Sequence, residues 1–90
     1  MKSYLTQEEM NKIERLAECA LSADNKKEAQ NYIKQMHFAI SGILGSSRSI
    51  LIEMISAVDH ASGMVSNKES KVSVAKQLII KAQMFCVEQS

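Results

Sequence analysis

The side chains able to do acid–base, nucleophilic or metal chemistry are few and scattered. His37 and His60 are the two histidines, and no cysteine or second histidine stands at ligand spacing from either. Structural zinc wants four convergent Cys or His ligands, with spacings such as C-x2-C or H-x3-H that are absent here. Asp59 and His60 are neighbours, but adjacent residues on a helix point about 100° apart, so the two do not face each other. Glu14 and Glu18 share a helical face that is charged and solvated, and Glu53 is a lone acid. Cys19 and Cys86 lie far apart in sequence and are expected as free thiols of an intracellular protein, where disulfides are rare. No Ser–His–acid order and no glycine-rich phosphate loop is present. The chain is therefore expected to be no enzyme, with no metal and no cofactor.

Nucleic-acid recognition has one candidate, the turn centred on Gly45. Residues 40–54 have the spacing of a helix-turn-helix, with Leu44 before the glycine and Leu51 after it. Ser41 and Ser46, however, occupy positions where an apolar residue is usual. The would-be recognition helix begins Arg48-Ser49-Ile50-Leu51-Ile52, which offers few side chains for base edges and phosphates. Eleven basic against ten acidic residues leave a net charge of +1. That is too even for a general polyanion binder. Lys68, Lys71, Lys76 and Lys81 scatter around their helix as a solvated set. Nucleic acid is not the expected partner; a dimeric DNA-binding regulator using this turn is the second reading.

The elements that must position any site are helices. Ninety residues make one domain, and 46% of them are hydrophobic. The absence of proline, with only three glycines, leaves few helix breakers. Four helices are predicted, near 7–22, 25–44, 48–63 and 67–87. Thr6 and Glu9 form a capping box for the first, with Leu5 and Met10 as its hydrophobic staple. Its stripe is Met10, Ile13, Ala17, Ala20 and Leu21, with Leu16 at the edge. Asp24 or Asn25 caps the second. There Ala29, Tyr32, Ile33, Met36, Ala39, Ile40, Ile43 and Leu44 project within about 140°. Gly45 is its expected stop, and Ser46 or Ser47 the cap of the third helix. The third stripe is Ile50, Leu51, Met54, Ile55, Ala57, Val58, Ala61 and Val65. Ser66 and Glu69 offer a second capping box. Val72, Ala75, Leu78, Ile79, Ala82, Phe85 and Cys86 line the fourth helix. Short connections predict an all-α, four-helix up-and-down bundle. The first helix is net acidic, with Glu8, Glu9, Glu14 and Glu18 against Lys12 and Arg15. The fourth is net basic, and the two are expected side by side.

What folding does not explain is a set of apolar residues on polar faces. Phe38 projects opposite the second stripe, and Ile52 projects among Asp59, Ser56 and Gly63. Each lies seven residues from Gly45, about 10 Å along a helix, so an antiparallel hairpin would hold them level. With Gly42 nearby, Phe38, Gly42 and Ile52 form the expected partner-binding site. Ile80, Met84 and Val87 make a second stripe on the fourth helix, expected to be a homodimer interface. Several such residues on a small protein mark a contact surface. The chain reads as a small cytoplasmic regulatory protein that binds another protein, as inhibitor, adaptor or chaperone. No run of about 20 apolar residues exists to span a membrane, and no signal peptide is evident.

Overall fold

A computed structural model describes residues 2–63 and 66–88. It contains α1 (Gln7–Leu21), α2 (Lys26–Ala39), α3 (Gly45–Ala61) and α4 (Lys68–Phe85), with no strand among the described residues. The four-helix reading holds. Met64 and Val65, the latter assigned above to the third stripe, lie outside the described residues.

α1 starts as its sequence dictates. Thr6 Oγ1 accepts from the Glu9 N–H at 3.1 Å, and the Glu9 carboxylate accepts from the Thr6 N–H at 2.8 Å. Met10, Ile13, Ala17, Ala20 and Leu21 are all buried, as is Leu5 of the staple. α2 is likewise capped by Asn25, whose side chain accepts from the Glu28 N–H at 2.8 Å.

The second helix then stops early. It ends at Ala39 instead of running to Leu44, and residues 40–44 form the turn. Ile40 and Ile43 remain buried, but from that turn, while Leu44 is exposed. The reason is tertiary. The Lys2 N–H donates to the Gly42 carbonyl at 3.1 Å, and the Leu44 N–H donates to the Lys2 carbonyl at 2.9 Å. Arg48 Nη1 donates to the Ile40 and Ile43 carbonyls, both at 3.3 Å. Partners from outside the helix thus satisfy the groups that further helix would have paired. Gly45, at φ +75°, does not end α2 but opens α3. Neither Ser46 nor Ser47 caps that helix; α3 begins after Leu44 with no side-chain cap, and Ser47 is buried.

α4 also departs from its expected start. The Ser66–Glu69 box is replaced by Asn67 in the left-handed conformation, φ 58°, without a side-chain cap. Asparagine is among the few non-glycine residues that visit this region readily. Only Ala75, Ile79 and Ala82 of α4 are buried, with Val72 and Leu78 partly so; Phe85 is exposed instead of core.

α1 packs mainly on α2 and α3 mainly on α4, while α1 meets α4 only narrowly. The terminal segments close the structure. The Leu5 N–H donates to the Cys86 carbonyl, and the Glu88 N–H donates to the Leu5 carbonyl, each at 2.7 Å. Isolated parallel bridges Lys2–Ile43 and Leu5–Val87 result, which thread the N-terminal segment between the α2–α3 turn and the end of α4.

Candidate functional site

Asp59, Glu9 and Cys86 are each engaged by neighbouring groups of the fold. Lys26 Nζ donates to Asp59 Oδ1 at 2.9 Å and to the Asp59 carbonyl at 2.7 Å, and Gln30 Nε2 donates to the same Oδ1 at 2.6 Å. The Lys26 hydrogen bond above all holds the Asp59 carboxyl below the usual aspartate range, against the opposing effect of burial. Asp59 thus pins α2 to the end of α3. His37 and His60 are exposed on different helices. Lys2 and the Thr6 backbone keep the Glu9 carboxyl below the usual glutamate range. Cys19 and Cys86 are both free; Cys86 is buried, which pushes its thiol up, and its Sγ donates to the Ser47 carbonyl at 3.6 Å. Among the described residues, no three His, Cys, Asp or Glu side chains gather in a way that could hold a metal ion.

Phe38 is the most exposed large apolar side chain described, at 82%. It edges an open groove of about 440 Å³ between α1 and α2. Leu16 and Ala39 supply the apolar part of the lining; Lys12 and Lys34 supply charge. Glu9 also lines the groove, but its carboxylate is paired with Lys2. Leu16 stood in the sequence only as a stripe-edge residue and Lys12 only as part of the helix charge, while Lys34 projects on the same polar face as Phe38. Two helices had to be laid together before these residues formed one wall and floor.

The companions expected for Phe38 fall elsewhere. Because the turn begins at Ile40, Phe38 sits at the very end of α2, whereas Ile52 lies two turns into α3. The two are therefore not level across a hairpin. Ile52 is 41% exposed and does not line the Phe38 groove. Gly42 is exposed, and a Cβ there would meet nothing within 4 Å, yet its carbonyl is already occupied by Lys2.

The α4 stripe is also changed. Ile80 and Met84 are exposed, at 56% and 63%, but Val87 is only 6% exposed. Val87 lies past the helix end, bridged to Leu5, and adds only a small exposed area to a groove that Met84 also lines. Tyr4 and Phe85, neither of which the sequence marked as exposed, join Met84, Val87 and Glu88 around an open groove at this end of the molecule. Periodicity had placed Phe85 in the core, and no rule of periodicity applies to Tyr4 in the non-helical lead.

The sequence matches no family profile, and no curated protein or solved structure shows significant similarity to it.

Proposed function

We propose that this protein is a non-enzymatic regulator that binds another protein through the α1–α2 groove, with Phe38 as the anchor. The observation that carries the reading is a large aromatic side chain, 82% exposed, standing beside a concave and partly apolar groove. Interfaces concentrate their binding energy in such anchors. Lys12 and Lys34 have no ion-pair partner among the described residues, while the Glu9 charge is engaged by Lys2. The groove therefore suits a partner segment with an apolar residue flanked by acidic ones. Inhibitor, adaptor and chaperone are the modes of action this reading covers, in a cytoplasmic setting. Arg48, which a DNA-reading α3 would need at its start, is held by the Ile40 and Ile43 carbonyls, and this favours protein over DNA.

The test is a pull-down from the source cells, identified by mass spectrometry, beside thermal melts of each variant. Phe38→Ala should change stability by no more than about 0.5 kcal/mol, as surface substitutions usually do. It should weaken partner capture about 30-fold, the effect of losing ~2 kcal/mol at a hot spot. Ile40→Ala, in contrast, removes a buried side chain and should cost ~2–5 kcal/mol of stability. Full-strength capture by a normally folded Phe38→Ala protein would place the contact elsewhere.

A further inference from the structure

The narrow contact between α1 and α4 leaves a groove of about 240 Å³ on the side of the molecule carrying Ile80. Glu14, Glu18 and Leu21 of α1 line it from one side, and Lys76, Ile80 and Gln83 of α4 from the other. The two walls carry opposite charge but do not neutralise each other. Glu14 accepts a hydrogen bond from Gln83, and neither Glu18 nor Lys76 has an ion-pair partner among the described residues. Met84, one helical turn beyond Ile80, continues the exposed apolar row.

The acid on the α1 wall also runs against the helix that carries it. The last turn of α1 contains Glu18 and no basic residue, whereas the first turn of α4 holds Glu69 between Lys68 and Lys71, and Lys76 stands in the helix interior. A helix macrodipole favours the opposite arrangement at the end of α1. Helix formation therefore gives no reason for Glu18 there, whereas a surface of complementary charge does.

We infer that a second copy of this chain docks along the α1–α4 groove, related by a two-fold axis that runs along it. Under that rotation, whatever stands on one wall of a groove meets the opposite wall of the other copy. Each Lys76 then faces the Glu14 and Glu18 row of the second copy, and each Ile80 covers apolar lining across the axis. The same patch supplies both signs of charge and the apolar seam between them, so it is complementary to itself. This interface is separate from the Phe38 groove and deepens the regulatory reading by making the binding unit a dimer with two grooves.

The experiment is sedimentation equilibrium of the full chain at micromolar concentrations. The wild-type protein should report about twice 10.0 kDa. Ile80→Asp should weaken the dimer about tenfold or more, and so should Lys76→Glu or Glu18→Lys alone, because each then opposes like charge across the axis. All three positions are exposed, so each variant should fold, which thermal melts check. An equimolar mixture of the Lys76→Glu and Glu18→Lys chains should recover the dimer, since only the mixed pair restores opposite charges at both contacts. Phe38→Ala should dimerise like wild type, which separates failure here from failure of the Phe38 reading. A wild-type monomer throughout, a dimer indifferent to these substitutions, or a mixture that stays monomeric overturns the inference.

Discussion

Asp59 shows how a residue that looks chemical in sequence becomes structural in the fold. Its neighbour His60 contributes only a weak favourable charge, while Lys26 and Gln30, from the facing helix, hold the carboxylate directly. Its folded pKa is lowered, so its contribution to stability is present above the ordinary value of 3.8 and disappears as pH falls through the lowered one. Glu9 behaves with the same sign. The Lys26–Asp59 pair is partly exposed, so it contributes no more than about 1 kcal/mol. Asp59→Asn should therefore melt slightly below wild type at neutral pH. The two melting curves should converge as pH drops well below 3.8; a gap that persisted in acid would mean that the ion pair is not what Asp59 contributes.

At the scale of elements, the α2–α3 turn separates two glycines that look alike in sequence. Gly45 sits at φ +75°, where a side chain is strained, while Gly42 has no positive φ and open space where a Cβ would point. Gly45→Ala should cost about 1–2 kcal/mol. Gly42→Ala should be neutral or stabilising by up to about 1 kcal/mol, through a less flexible unfolded chain. Chemical denaturation of the pair checks both, and equal effects would contradict the turn geometry. The capped starts of α1 and α2 were legible because Thr6, Glu9, Asn25 and the Glu28 N–H are local partners. The end of α2 was not, because Lys2 and Arg48 reach it from outside the helix. Periodicity continued through Ile40 and Ile43 because turn residues can fill the same core.

For the whole molecule, closure of the termini decides what is exposed. Leu5, Cys86 and Val87 are buried where the N-terminal segment pairs with the end of α4. Cys19, by contrast, is exposed on α1. A thiol reagent should titrate one cysteine rapidly in the native protein and the second only on unfolding or slow opening of the termini. Two equally fast thiols in the native state would show that the terminal pairing is not maintained. The surface left after closure is uneven: Phe38 stands by the α1–α2 groove, and Ile80 and Met84 stand on the far helix.

The sequence by itself determined the helical class, four elements, two helix starts and most of the core. Those features rest on spacing and on hydrogen bonds only a few residues long. It also identified Phe38, Ile52, Ile80 and Met84 as exposed, since a face opposite a buried stripe is legible from one helix alone. Tertiary structure decided where α2 ends, that Val87 is buried while Tyr4 and Phe85 are not, and that Phe38 faces α1 and not Ile52. Each of those outcomes depends on a contact between segments distant in the chain, and a helical projection contains no information about such contacts.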